Sequence, residues 1–456
     1  MFNLLPTDDG ATELFITSSE AYRWWLRGAA EVDRHWLETT GFAGEPDAFI
    51  FLPAAQGART RVLAVTGASG GSLAMGGPAT SLPPGRYTLA EALPRAEATA
   101  AALGWALGGY AFDRYKAVPH KSAQLVWPPT ADQAEVARIA GAVFLARDLI
   151  NTPAEDLGPA DLADVARTLA LEMGADIAVT TGADLLAEGY PTIHAVGRAS
   201  VRPPCLIDLR WGQEGAPRVT LVGKGVCFDS GGLNLKSAQG MQGMKRDMGG
   251  AAVVLGLGRA LMEARAPIRL RILVPAVDNA VSGWSIRPLD VVRTRSGKTV
   301  EIGDTDAEGR LILCDALAEA DSEHPDLLID CATLTGAARI ALGTEVQALF
   351  CDDDALAAAF VAAGQATDDP LWRMPIWRPY RKLLESKVSD LSNIADTASG
   401  GAITAAVFLA DFVEPTTAWA HLDINAANTT TRPGRPEGGE ATGLRALYAV
   451  IRARYG

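Results

Sequence analysis

Arg218-Val219-Thr220-Leu221-Val222-Gly223-Lys224-Gly225-Val226-Cys227-Phe228-Asp229-Ser230-Gly231-Gly232-Leu233-Asn234-Leu235-Lys236 passes from an apolar run into a glycine-rich polar stretch. Arg218 to Val222 is short and rich in β-branched residues, which reads as a strand, and the glycines after it mark a loop. A helical pattern follows from about Gly250 to Ala264, then a second strand, Arg269-Leu270-Arg271-Ile272-Leu273-Val274. Asp326-Leu327-Leu328-Ile329-Asp330 and Trp419-Ala420-His421-Leu422-Asp423-Ile424 read as further strands, and Arg295 to Thr299 as a hairpin turn. Strands alternating with helices predict an α/β fold, a mostly parallel or mixed sheet with helices on both faces. Ligands in such sheets bind beyond the carboxyl ends of the strands, and the polar stretch after Val222 falls there.

The N-terminal part reads as a smaller α/β unit. Ala48 to Leu52 and Arg61 to Val65 are strand-like, the Trp36 region and the Ala- and Leu-rich run from Thr88 to Leu107 helical. Tyr22-Arg23-Trp24-Trp25-Leu26 reads as an amphipathic helix that buries its tryptophans, in preference to a stacking platform for nucleic acid. Trp127-Pro128-Pro129 stops this unit, and Thr130 is placed to cap a helix running to about Ile150. The expected organisation is therefore an N-terminal α/β domain over 1–129, a linking helix over 130–150 and a C-terminal domain over 151–456.

Of the 456 residues, 48% are hydrophobic and 21% charged, an ordinary globular balance with ample core. A net charge of -13 argues against broad binding to nucleic acid or anionic membranes. Cys205, Cys227, Cys314, Cys331 and Cys351 are scattered, odd in number and free of CxxC spacing, as expected of reduced, mostly buried thiols. Met1 to Asp9 does not read as a secretory signal, and no stretch is apolar for long enough to span a bilayer. The expectation is a soluble cytoplasmic protein.

Three clusters carry the residues suited to chemistry. The stretch quoted above offers Lys224, Asp229 and Lys236; Met244-Lys245-Arg246-Asp247-Met248-Gly249-Gly250 offers Asp247; Gly303-Asp304-Thr305-Asp306-Ala307-Glu308-Gly309-Arg310-Leu311 offers Asp306, Glu308 and Arg310. In an extended segment residues two apart point the same way, so Asp306, Glu308 and Arg310 are expected to converge. Taken alone, the same acidic residues also read as capping of a helix beginning at Leu311. Neither GxGxxG nor GxxxxGK[ST] occurs in the glycine-rich loop, which weakens a phosphate-binding reading. Four carboxylates in one place repel and take up protons unless compensated. Two divalent cations would cancel them; Lys224, Lys236 and Arg310 acting as counter-ions in a salt-bridge network is the alternative. Charge arithmetic leaves both open. No Ser-His-Asp arrangement is suggested, since Ser230 has no identifiable base, and His421 reads as structural. His35, His120, His194 and His324 likewise match no catalytic role.

Together these clusters resemble the leucyl aminopeptidase (cytosol aminopeptidase) family of two-metal enzymes. The NTDAEGR-type motif of that family is matched by Asp304 to Arg310. Asp148-Leu149-Ile150-Asn151-Thr152-Pro153, Ala332-Thr333-Leu334-Thr335-Gly336, Gly401 to Leu409 and Ala420-His421-Leu422-Asp423-Ile424 are similar as well, so the resemblance covers roughly residues 140 to 450. It implies a metal-dependent aminopeptidase releasing leucine-like, broadly chosen N-terminal residues from peptides. It further implies two divalent ions per subunit, Zn or Mn with Mg or Co as variants, held by Lys224, Asp229, Asp247, Asp306 and Glu308. Lys236 would stabilise the oxyanion, Arg310 would hold a bicarbonate, and Met244, Thr333, Leu334 and Gly336 would line the substrate pocket. The family forms homohexamers. Asp304 departs from its pattern, where Asn is usual, and so does Ala199, where Gly is common. The alternatives are a DNA-binding architectural or regulatory protein on the same fold, against which the acidic balance speaks, and a catalytically dead structural subunit, against which the complete ligand set speaks.

Overall fold

The computed structural model describes residues 2–8, 10–54, 60–67, 71–117 and 123–456, which leaves His120 outside. The chain divides into two compact units, Met1–Phe144 with Asn428–Glu437, and Leu145–Ala427 with Gly438–Gly456. The division falls inside the helix Gln133–Asn151. Asp132, not Thr130, accepts the Glu135 N–H at its start, while the Thr130 hydroxyl donates to Leu93 O.

The first unit holds a six-stranded sheet in the order Leu4–Leu5, Ala123–Val126, Gly85–Leu89, Thr12–Ser18, Arg61–Thr66, Phe49–Leu52. Every pairing is parallel except that of the edge strand Phe49–Leu52. The run from Thr88 to Leu107 is not one helix: Thr88 and Leu89 end a strand and the helix is Arg95–Gly108. Pro94 explains the break, because proline fits a helix start and not its interior. The helix Tyr22–Gly28 forms, but it buries Tyr22 and leaves Trp24 71% exposed with the Arg27 guanidinium 4.7 Å from its ring centroid. Trp25 does pack, edge-on to Phe15.

The second unit is built on a nine-stranded sheet: β1 (Asp176–Thr181), β2 (Cys205–Trp211), β3 (Arg218–Gly223), β4 (Gly225–Asp229), β5 (Arg269–Asn279), β6 (Leu327–Ala332), β7 (Gln347–Phe350), β8 (Leu371–Met374) and β9 (Trp419–Asp423). The spatial order is β8-β7-β9-β6-β3-β5-β2-β1, with β4 beside the far half of β5. The centre, β9-β6-β3-β5, is parallel, and both flanks include antiparallel strands. The central strands are buried along nearly their whole length, which is why they read as continuous apolar runs. Helices Pro159–Met173, α1 (Gly249–Glu263), Asp354–Ala366 and Leu444–Tyr455 cover one face; Pro191–Gly197, α2 (Glu308–Asp321) and Gly401–Ala410 cover the other. The excursion expected around Arg295 is the antiparallel pair Val291–Arg293 and Thr299–Glu301. The five cysteines are free and buried, and among the described residues no helix is long and apolar enough to cross a membrane.

Candidate metal centre

The stretch after β3 is not a continuous loop. Lys224 separates β3 from β4, its N–H donating to Cys331 O in β6 and its carbonyl accepting from Ala251 in α1. β4 then pairs in parallel with β5, setting Asp229 against Asn279. The Asn279 amide donates to Asp229 Oδ1 (2.8 Å) and to Thr305 O (3.1 Å), tying the strand end to the acidic segment. Gly231, at φ 88°, turns its N–H onto the same Asp229 oxygen, and a Cβ there would lie 2.9 Å from Asp306 Oδ1. The chain returns through Lys236, whose Nζ lies 2.7 Å from Asp229 Oδ2 and 2.5 Å from Asp306 Oδ1.

Asp247 follows the short turn Met244–Arg246 and precedes α1. Its Oδ1 accepts from the Thr333 hydroxyl (2.8 Å) and its Oδ2 lies 2.8 Å from Lys224 Nζ. The same ammonium is 2.9 Å from Glu308 Oε1 and donates to Thr333 O (2.9 Å). Gly309 leaves room for it, since a Cβ there would sit 2.8 Å from Lys224 Nζ.

The acidic segment is not extended as expected. Thr305 and Asp306 lie in a turn, while Glu308 and Arg310 belong to the first turn of α2. Asp306 and Glu308 still converge, because the turn folds the chain back onto the helix start. One carboxylate oxygen each from Asp229, Asp306 and Glu308 lies within 4.8 Å of the others. Arg310 does not join them by a hydrogen bond. Its Nη1 donates to Asn393 O (2.6 Å), its buried Nε has no hydrogen-bond partner among the described residues, and burial lowers its pKa to about 10.

Negative charge dominates the centre. Burial raises the Asp247 and Glu308 carboxyls above their usual range against the pull of Lys224, and raises Asp306 to about 6. Burial alone would lower the two lysines, yet the carboxylates, Asp247 first for Lys224 and Asp229 for Lys236, outweigh it and raise both. Two ammonium groups thus clasp four carboxylates, and among the described residues the buried Glu308 Oε2 has no hydrogen-bond partner. An under-compensated set of hard oxygen donors around an unsatisfied carboxylate oxygen fits divalent cations.

Met244, Thr333, Leu334 and Gly336 all line one cleft of about 430 Å³ with Lys224, Asp229, Lys236, Asp247, Asp306 and Glu308. It opens at the carboxyl ends of β3, β4, β6 and β9. Sequence reading missed the residues that hold this site in place. Asn279 ties Asp229 to Thr305, and Asn393 accepts from Gly303 and Asp304 and donates to Asp304 O and Ala307 O. Asp423 accepts from the N–H groups of Leu334 and Thr335 and from the Thr335 hydroxyl. Polar residues at strand ends, such as Asn279 after an apolar run, were the available signal. His421 is structural as expected: its Nδ1 meets Asp330 Oδ1 at 2.6 Å and both are fully buried.

The family model for the catalytic domain of the cytosol aminopeptidase family matches residues 144–448, and that for the M17 aminopeptidase N-terminal domain matches residues 14–128. The likeness therefore reaches into the first part of the sequence, where no motif revealed it. A probable cytosol aminopeptidase of Roseiflexus castenholzii is 41% identical over 80% of this chain and 78% of its own length. One of Leifsonia xyli subsp. xyli is 39% identical over 91% of this chain and 89% of its own. The solved cytosol aminopeptidase of Coxiella burnetii is 45% identical, covers both chains entirely and superposes with a TM-score of 0.94. The bottromycin maturation enzyme BotP, solved in complex with Mn, is 36% identical over 98% of this chain and all of its own, with a TM-score of 0.88. The DNA-binding alternative has no support from these relatives.

Proposed function

The chain belongs to the cytosol aminopeptidase family, and from that premise we propose how this metal-dependent aminopeptidase works and on what. Asp229, Asp247, Asp306, Glu308 and Lys224 hold two divalent ions, Zn or Mn, and the enzyme releases leucine-like N-terminal residues from peptides with broad tolerance. The convergence of Asp229, Asp306 and Glu308 within 4.8 Å carries this reading, with the unpartnered Glu308 Oε2 beside it. When bound, the ions supply Lewis acidity and bring the pKa of water towards neutrality.

The residues of the chain do the rest. Lys224, whose Nζ lies between Asp247 and Glu308, would serve as a ligand only as the neutral amine, its proton released to solvent. Lys236 stays an ammonium and stabilises negative charge growing on the scissile carbonyl oxygen. Arg310 is the residue that would hold a bicarbonate, which would supply a general base; its buried Nε, without a hydrogen-bond partner among the described residues, supports that role. Met244, Thr333, Leu334 and Gly336 offer the first side chain an apolar wall with small residues, suited to aliphatic groups. The enzyme works as a cytoplasmic homohexamer, with an N-terminal domain over 1–129, a linking helix over 130–150 and a catalytic domain over 151–456.

The test is hydrolysis of leucine 4-nitroanilide by purified protein. Chelator is expected to abolish it and Mn or Zn to restore it. Glu308→Gln and Asp247→Asn are expected to lose at least about a hundredfold in kcat/KM together with bound metal. Full activity in either variant would falsify the ligand assignment.

A further inference from the structure

Besides Lys224 and Lys236, two arginines line this cleft. Arg246 closes the turn that begins at Met244, and Arg339 stands one turn after Gly336 in α3 (Gly336–Leu342). Among the described residues, neither guanidinium has a hydrogen bond or an ion pair. Arg246 is half-buried and feels the charges of both Arg339 and Asp247. Arg339 folds back along its helix, its Nη2 lying 3.9 Å from where a Cβ on Gly336 would sit. Like charges at the mouth of a partly desolvated cleft repel unless an anion comes between them. No carboxylate of the cleft forms an ion pair with either arginine among the described residues. Asp229, Asp247, Asp306 and Glu308 are held by the lysines and face the metal centre, and Asp423 is occupied by Leu334 and Thr335.

We infer that Arg246 and Arg339 form a subsite for a carboxylate carried by the substrate, so that the enzyme selects anionic substrates over neutral ones of the same shape. The inference rests on the aminopeptidase reading above. A carboxylate reaches such a subsite from two sources: an acidic side chain on the first residue, or the C-terminus of a short peptide. Arginine suits either, because its planar fork pairs with a carboxylate through two hydrogen bonds.

Two matched substrate pairs tell the sources apart in the metal-loaded enzyme. One is glutamate against glutamine 4-nitroanilide; the other is Leu-Gly against Leu-Gly amide. In at least one pair kcat/KM is expected to favour the carboxylate by about tenfold, mostly through KM, and to do so less at high salt. In Arg246→Gln/Arg339→Gln the ratio is expected to fall towards one. Arg339→Gln alone, at an exposed position, repeats the test where the double variant does not fold. Hydrolysis with ratios near one in both pairs overturns the subsite and leaves the aminopeptidase standing. A preference that survives in the double variant also overturns it. No hydrolysis of any of the four substrates overturns both readings.

Discussion

At the scale of single residues, the site depends on atoms that are absent as much as on those present. Gly309 is the clearest case: Lys224 lies along its bare Cα, and a methyl group would meet the lysine Cε at 2.6 Å. Gly309→Ala is expected to keep the fold by circular dichroism, to lower bound metal and to cut kcat about a hundredfold, the usual cost of displacing a site group by about an ångström. Asp304, the departure from the family pattern, is absorbed without strain. Its Oδ1 accepts the Asp306 N–H at 2.8 Å, a bond that an asparagine oxygen also makes. Asp304→Asn should therefore change stability by no more than about 0.5 kcal/mol in denaturant unfolding. Asn393 is the opposite case, fully buried and making four hydrogen bonds to the backbone of the acidic segment. Asn393→Ala leaves those groups unsatisfied and is expected to cost about 2–4 kcal/mol in the same measurement. The ligand candidates themselves were legible because carboxylates cannot be hidden in a glycine-rich stretch. Asn393 was not, because an asparagine in a loop carries no sign of what it will hold.

At the scale of elements, β4 shows what periodicity misses. Gly225 to Asp229 reads as loop from its glycines, yet it pairs in parallel with the outer half of β5. That pairing delivers Asp229 to Asn279, so a strand too short to announce itself positions a central ligand candidate. Elsewhere charges lock elements together. Arg271 in β5 is buried and bonds Asp208 in β2 (2.8 Å) and Glu319 in α2 (2.6 Å). Arg271→Leu leaves Asp208 with Arg210 and Glu319 with Arg295 as their remaining partners and is expected to cost about 2 kcal/mol, read as a lower denaturant midpoint with an unchanged slope. Of the three elements it joins, β5 and α2 were legible in the alternation of strands and helices, whereas β2 was not.

At the scale of the whole molecule, stability carries a pH signature from the buried His421–Asp330 pair. Burial pushes the imidazole pKa down, but the facing Asp330 carboxylate outweighs it and raises it above the usual 6.5. The Asp423 carboxylate pulls the same way, and Trp419 Nε1 secures the far Asp330 oxygen at 2.8 Å. The fold thus keeps a proton that the unfolded chain releases near pH 6.5. The stabilisation is complete below that value and is lost as pH rises through the higher folded value. Melting of chelated protein is expected to show a temperature that falls from about pH 6.5 upwards, with a shallower fall in His421→Gln; equal slopes would refute the assignment.

The sequence by itself determined the fold class, the family and the ligand candidates. Apolar runs can be satisfied only inside a covered sheet, and clustered carboxylates demand compensation wherever they are placed. The tertiary structure alone decided which groups meet. It turned an extended Asp306-to-Arg310 segment into a turn and a helix start, drew Arg310 off to Asn393, and set Arg246 and Arg339 in the same cleft as the carboxylates. Contacts between residues far apart in sequence follow from chain crossings and strand register, and no local pattern of side chains encodes those.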